Sequence, residues 1–147
     1  MMSDRGFRFV DDVTSDLTFE ARGTTRGALF AAASEALLAA TVERPEAVRN
    51  AVERRVELED TRLDWLLRRF LSEIVYLRDA EHLALRALEV DVRGEAPQIR
   101  LEAVLAGEPL DLERHVGAND VKAVTAYGLA VVRDERGEWR ARITLDV

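Results

Sequence analysis

The chain has 147 residues, a formal net charge of −7 and no cysteine. Its length fits one domain, and its hydrophobic fraction of 48% supports a buried core that needs no disulfide or structural metal. The lack of cysteine excludes disulfide frameworks, iron–sulfur clusters, thiolate zinc sites and cysteine nucleophiles. We therefore expect a single domain over residues 1–147.

The net charge and the hydropathy of the chain also restrict which molecules it is expected to bind. Proteins that bind RNA or DNA tightly over a broad surface carry an excess of basic residues, because they must neutralise phosphates. No apolar run reaches about 18 residues, the length that crosses a membrane, and the N-terminal segment lacks an apolar signal core. We expect a cytoplasmic protein with no membrane contact and no direct, tight contact with nucleic acid.

The N-terminal third is predicted to form two strands and a helix. Residues 7–10 are β-prone, and residues 17–22 alternate apolar and polar side chains, as a half-buried strand does. Either Thr24 or Thr25 can cap the helix that follows. Its apolar residues recur at helical spacing, and it ends before Pro45, which cannot continue a helix.

The middle of the chain is predicted to form a strand and then the strongest helix. Residues 51–59 alternate apolar and charged side chains, with Arg54 as the exception on the apolar side. Thr61 and Asp64 follow at the spacing of a capping box. The apolar stripe over residues 63–74 has the spacing of one face of an α-helix.

The C-terminal half is predicted to contain four strands, in segments 85–93, 99–105, 123–133 and 139–147. Residues 94–97 join the first two strands as a hairpin. Residues 107–111 are a predicted turn, and residues 112–115 a single helical turn. The order of elements predicts an α+β fold, with two helices packed on a largely antiparallel, curved or barrel-like sheet of about six to seven strands.

Familiar catalytic motifs are missing from the sequence. It has no nucleophile elbow, no phosphate-binding loop and no dinucleotide-binding glycine pattern. Its two histidines, His82 and His115, fall in polar connecting segments and lack the spacing of a metal-binding pair. His82 follows the second predicted helix, which favours a capping or surface role.

Carboxylates cluster in two places. Asp11, Asp12 and Asp16 fall in a turn-rich segment, and Asp146 lies beside Val147, whose α-carboxylate adds a second anion. Hard cations such as calcium and magnesium prefer several oxygen ligands of this kind. Aspartate also serves ordinary turns and solvated surfaces, so both interpretations stay open for each of these residues.

Lysine occurs once, at position 122, among 21 basic residues that are otherwise all arginine. The two side chains differ chemically, because lysine is a compact, strongly hydrated charge and arginine is a planar fork. Lys122 is therefore either a residue with a special role or a solvated residue at the start of a strand.

The chain resembles the archease family, the protein activators of RtcB-type RNA ligases, in six segments that occur in the family's order: 6–17, 25–30, 66–79, 107–115, 121–125 and 139–147. Among them, residues 70–79 read FLSEIVYLRD, residues 121–125 read VKAVT, and Gly-Glu-Pro-Leu-Asp is followed by Arg-His. Two positions depart from the family's pattern. Val13 and Tyr127 stand where histidine is usual, so no role of those histidines is carried over.

The resemblance implies a metal site and an activating residue. In archeases the matching positions bind a divalent cation, typically calcium, which here implies Asp16, Asp146 and the oxygens of Val147. The lysine of the VKAVT segment is implicated in activating the ligase, which implies Lys122. The family is not known as an enzyme; it promotes ligase guanylylation and turnover in tRNA splicing and RNA repair.

Two other functions remain compatible with the residues. The carboxylates suit a stand-alone metal-dependent hydrolase, because a bound cation can activate water. A curved sheet also suits a chaperone-like or ligand-binding module that needs neither a cation nor Asp146.

Overall fold

The computed structural model of the chain describes residues 6–10, 16–111 and 113–147. Within those ranges lie eight strands and two α-helices, with one short 3₁₀ turn at Pro45–Ala47. The elements are β1 (Phe7–Val10), β2 (Asp16–Gly23), α1 (Arg26–Thr41), β3 (Val52–Asp60), α2 (Leu63–Glu81), β4 (Leu83–Glu95), β5 (Gln98–Pro109), β6 (Ala123–Val124), β7 (Ala130–Arg133) and β8 (Trp139–Asp146).

The strands divide between two antiparallel sheets. The larger sheet has the order β1-β2-β8-β6, and β7 also pairs with β8. The smaller sheet has the order β3-β5-β4. The predicted α+β class, with two helices on largely antiparallel strands, is confirmed. The strands number eight, and neither sheet closes into a barrel in the described part of the chain.

Both helices pack on one shared core. Helix α1 lies against β2 and β4, and α2 lies against β3, β4 and β6. The two helices meet through Phe30 and Phe70, whose ring centroids are 5.8 Å apart and whose side chains are fully buried. The buried face of α1 is rich in alanine, whose small side chain leaves room for close packing.

Thr25 caps α1, which decides between the two predicted caps. Its Oγ1 accepts a hydrogen bond from the main-chain N–H of Ala28 at 3.0 Å. Thr25→Ala is therefore expected to lower the free energy of unfolding by about 1 kcal/mol, because an N–H of the first turn loses its acceptor. Urea unfolding measures the change. Thr24→Ala is the matched control, and an equal loss in both variants would contradict the assignment.

The predicted capping box at the start of α2 is wrong. The helix begins one residue later than that motif requires, with Arg62 as its N-cap and no side-chain cap. Asp64 accepts instead from the N–H of Trp65 at 2.8 Å, and Asp60 accepts from the N–H of Thr61 at 2.7 Å. Each short side chain bonds the N–H of the next residue, so the reciprocal pair does not form.

The C-terminal end of α2 confirms the role predicted for His82 and explains the exceptional position of Arg54 on β3. His82 is the C-cap and takes a left-handed φ of 56°, so the predicted capping role is correct. Arg54, the exception on the apolar side of β3, donates to Glu81 Oε1 through Nε (3.1 Å) and Nη2 (2.9 Å). Its stem lies along the sheet while its charge is paired at the helix end.

The turn predicted at residues 107–111 is wrong in its first half, because β5 continues through Pro109. The backbones of β4 and β5 approach closely here. A Cβ added at Gly107 would lie 1.7 Å from the carbonyl oxygen of Ala84, so only glycine allows this pairing. Gly107 therefore permits a close contact between two strands, whereas the sequence predicts that it belongs to a turn.

The strand predicted over residues 123–133 is wrong in one respect, because the structure divides it into β6 and β7. Thr125 Oγ1 donates to the carbonyl of Thr144 at 2.9 Å and accepts from the N–H of Tyr127 at 3.3 Å. Gly128 then takes a positive φ of 64°. These local bonds turn the chain between two short strands.

Some predictions fall outside the described residues. They are the turn-rich segment with Asp11, Asp12 and Val13, and Leu112 at the start of the predicted helical turn. After Leu112, the main-chain N–H groups of Arg114 and His115 both bond to the carbonyl of Asp111. As for membranes, none of the helices in the described ranges is long and apolar enough to cross one.

Candidate cation-binding and activator site

Asp16 and Asp146 lie directly opposite each other on neighbouring strands. Asp16 is the first residue of β2 and Asp146 the last residue of β8, and the register of the two strands pairs them. Directly opposed residues in an antiparallel pair point to the same face, with Cβ atoms about 4.5–5.5 Å apart. The strand pairing thus brings together two carboxylates that are 130 positions apart, and both are half-buried.

The two carboxylates have the chemistry of a site for a hard cation. Neither side chain has a hydrogen-bond or ion-pair partner within the described ranges. Like charges directly opposed across a sheet repel each other, and a shared cation removes that repulsion. The main-chain oxygens of Val147, which follows Asp146, are the next available donors, while its side chain packs against the core.

The protein donors at this position are few. In residues 6–10, 16–111 and 113–147, no three His, Cys, Asp or Glu residues group closely enough to hold a metal ion. Calcium takes six to eight oxygen ligands, and exposed sites complete that number with water. The donor set fits an exposed, oxygen-only site for calcium or magnesium, and its lack of histidine and cysteine does not favour zinc.

Lys122 lies at the same end of the larger sheet. Its main-chain N–H donates to the carbonyl of Asp146 at 2.7 Å, and the next residue, Ala123, is the register partner of Asp146. The Lys122 side chain is exposed, and in the part of the chain that the structure describes its ammonium group has no partner. The structure thus places Asp16, Asp146, Val147 and the main chain of Lys122 at the same end of the larger sheet.

The main chain on both sides of Lys122 is held against α2. Arg78 donates to the carbonyl of Val121, and Arg68 Nε donates to the carbonyl of Val124 at 2.9 Å. The side chains of Val121 and Val124 are buried in the core. Fixed backbone on either side leaves the exposed Lys122 side chain on a rigid support.

The polar face of β8 is partly buried beside the two aspartates. Ala141, Ile143 and Leu145 are buried on the apolar face, as the alternation predicts. Thr144, on the opposite face, is buried as well, and its Oγ1 lies 3.0 Å from Oγ1 of Thr18. This hydroxyl pair occupies the cross-strand position two residues from the aspartates and satisfies both buried oxygens.

One polar cluster was not predicted from the sequence. His115, predicted in a polar connecting segment, is buried, and its Nε2 lies 2.7 Å from Glu108 Oε1. Its Nδ1 accepts from the N–H of Asp111 at 2.9 Å, so Nε2 carries the proton that Glu108 accepts. Arg114 Nη1 donates to the same carboxylate oxygen at 2.7 Å. The Gly-Glu…Arg-His spacing was the available indication.

The environment of Glu108 holds its carboxylate ionised. Burial alone raises the pKa of this group, but three hydrogen-bond donors outweigh burial and lower the pKa below its ordinary value. The donors are His115, the main-chain N–H of Arg49, and Arg114, whose charge also favours the ionised form. The cluster is thus a buried, hydrogen-bonded carboxylate with His115 beside it and the more exposed Arg114 as its charge partner.

Comparisons with known proteins all find members of one family. Residues 7–147 match the Archease protein family (MTH1598/TM1083). The chain is 31% identical over 134 residues to "Protein archease" of Pyrococcus abyssi, which covers 91% of this chain and 94% of that protein. It is 31% identical over 143 residues to "Protein archease" of Methanothermobacter thermautotrophicus, covering 97% of this chain and 99% of that protein.

Solved structures share the fold. The solution structure of Methanobacterium thermoautotrophicum Protein 1598 superposes with a TM-score of 0.83 at 30% identity, covering 97% of this chain and 99% of that one. The crystal structure of an archease from Thermotoga maritima, described as a possible chaperone, superposes with a TM-score of 0.60 at 16% identity, covering 95% and 97%. The second similarity concerns the fold alone.

Proposed function

Because the chain belongs to the archease family, we propose that it is a protein activator of an RtcB-type RNA ligase. In this proposal it promotes guanylylation and turnover of the ligase in tRNA splicing and RNA repair in the cytoplasm, and it is not itself an enzyme. Its site consists of Asp16, Asp146 and Val147, which hold a divalent cation such as calcium, and of Lys122.

One observation supports the proposal: two carboxylates that have no partner among the described residues oppose each other at the end of the larger sheet, and the main chain of the exposed Lys122 bonds to that of Asp146. A bound cation would supply positive charge between Asp16 and Asp146. Lys122 extends from fixed backbone on a flexible stem, and its ammonium can stabilise negative charge that develops on a phosphate during guanylyl transfer. The net charge of −7 agrees with an activator that leaves RNA binding to its partner.

The direct experiment is a guanylylation assay. The ligase from the same genome is incubated with GTP and a divalent metal, with and without this protein, and covalent ligase–GMP is measured over time. We expect faster formation of the covalent species and more product per ligase when the protein is present. A rate equal to that of the ligase alone would contradict the proposal.

Cation binding gives a separate prediction. Calcium at a free concentration one hundred times its Kd is expected to raise the Tm by about 5–10 °C, because it binds the folded chain alone. Asp16→Asn and Asp146→Asn should each remove most of that rise, as measured by calorimetry with calcium and with chelator. Glu57→Gln is the matched control, since Glu57 also opposes a carboxylate across a sheet, that of Glu102.

The two histidine side chains give less support to a function as a stand-alone hydrolase. A general base must be within reach of the water that it activates. His115 is engaged through both ring nitrogens and buried, and His82 caps a helix at the end of α2. Phosphoester turnover by the protein without a ligase would favour this function. A chaperone-like role would instead predict partner binding that persists in Asp146→Asn and in the presence of chelator.

A further inference from the structure

The segment between β5 and β6 carries Lys122 at its end, and its described residues before Val121 bury few apolar side chains. Between Pro109 and Val121, His115 is the one described residue that is buried. Leu110 is half-buried, and the remaining described side chains of this segment are exposed. Among the described residues before Val121, polar contacts therefore fix the course of the chain, while the buried Val121 anchors its end.

The first polar contact is the cluster at Glu108. This carboxylate is 5% exposed and accepts from His115 Nε2 and Arg114 Nη1, both at 2.7 Å. Arg114 Nη2 also donates to the carbonyl of Ala47 at 3.1 Å, which ties the segment to the chain after α1. Hydrogen bonds to an ionised group are the strongest class available to such a segment.

The next contacts run along the C-terminal end of α1. The N–H of Glu43 donates to the carbonyl of Val116 at 2.8 Å, and the N–H of Ala118 donates to the carbonyl of Thr41 at 3.0 Å. Asn119 Nδ2 donates to the carbonyl of Ala40 at 3.0 Å. Ala40 and Thr41 lie in the last helical turn, whose carbonyls lack partners within the helix, so the segment supplies them.

The last contact is at Lys122 itself, whose N–H donates to the carbonyl of Asp146. We infer that Glu108, Arg114 and His115 are positioning residues that fix the described residues of the segment before Val121 and, together with the buried Val121 and the bond from Arg78 to its carbonyl, hold Lys122 beside Asp146. They touch neither the cation nor the partner in this scheme, and they act through the backbone. The inference rests on the proposed function only for the consequence that positioning has for ligase activation.

The partner-free test is amide hydrogen exchange on the whole chain. In Glu108→Gln, the amides of Ala118 and Lys122 are expected to exchange at least about tenfold faster than in the wild-type chain, since a charge-assisted anchor is lost. His115→Phe, which keeps a ring of similar size but loses both bonds, should act in the same direction. The amides of β2 and β3 should change much less.

A destabilised control separates positioning from general loss of stability. Val56→Ala removes buried volume from β3, far from the segment, and should speed exchange without singling out Ala118 and Lys122. Unchanged exchange of these two amides in Glu108→Gln, or equal acceleration in both variants, would overturn the inference.

The functional readout is the guanylylation rate at saturating activator. If Glu108→Gln merely reduced the amount of folded protein, a higher concentration would restore the wild-type maximal rate. A positioning role predicts a lower maximal rate while the calcium-induced rise in Tm persists. A wild-type chain that fails to activate the ligase would remove the proposed function, but the exchange result would still decide whether the cluster holds Lys122.

Discussion

Lys122→Ala is expected to lower the maximal activation of the ligase by about 100-fold, because a single preorganised donor to developing phosphate charge contributes about that much. The side chain is exposed and has no hydrogen-bond or ion-pair partner among the described residues, so its loss should change the free energy of unfolding by less than about 0.5 kcal/mol. The variant should therefore lose activation of the ligase while keeping nearly the stability of the wild-type chain. A guanylylation assay at saturating activator measures the activation, and urea unfolding measures the stability.

Two further variants define what Lys122 supplies. Lys122→Arg keeps the positive charge but replaces a compact ammonium with a planar fork, so partial activation is expected. Arg55→Ala is the matched control, since Arg55 is exposed on β3 and has no partner among the residues described. Full activation by Lys122→Ala, or an equal loss in Arg55→Ala, would contradict a specific role for this lysine.

Local elements were predictable because their patterns are local. The apolar stripe of α2 and the alternation of β8 each follow from the period of one element, and both appear in the structure. The division between β6 and β7 was not predictable by this route. It depends on Thr125, which bonds the carbonyl of Thr144 on a strand that follows later in the chain.

The candidate site depends still more on long-range pairing. Nothing in the residues around Asp16 indicates that this position opposes Asp146. The register of β2 and β8 is set by burial of Phe19 against Ile143 and by packing of the half-buried Leu17 opposite Leu145. The resemblance to a family selected these aspartates, and the strand register gives a physical reason for their proximity.

His115 shows why buried polar groups escape a sequence pattern. Its neighbours are charged or small, so hydropathy indicates a surface segment. Its burial is permitted by Glu108 and by the N–H of Asp111, which together satisfy both ring nitrogens. Such compensation becomes visible only when the partners are placed in three dimensions.

Glu108→Ala is expected to be the most destabilising single change at this cluster. Removing the carboxylate leaves the N–H of the buried His115 without its acceptor, which typically costs about 1–3 kcal/mol, whereas the exposed Arg114 can be solvated. For a chain of this length the Tm should fall by about 2–12 °C. Calorimetry measures the change in Tm. As a control, Glu57→Gln, which replaces an exposed carboxylate on β3, should leave the Tm nearly unchanged.

The same carboxylate predicts how stability depends on pH. The folded pKa of Glu108 is lowered from 4.5, so on acidification the unfolded chain takes up this proton before the folded chain does. The stabilisation is therefore complete above the unfolded pKa and is lost as pH falls through the lower folded pKa. In Glu108→Gln this contribution is absent, so urea unfolding between pH 7 and pH 3 should show a shallower acid decline than in the wild-type chain. An identical decline in both chains would mean that Glu108 is not held ionised by its neighbours.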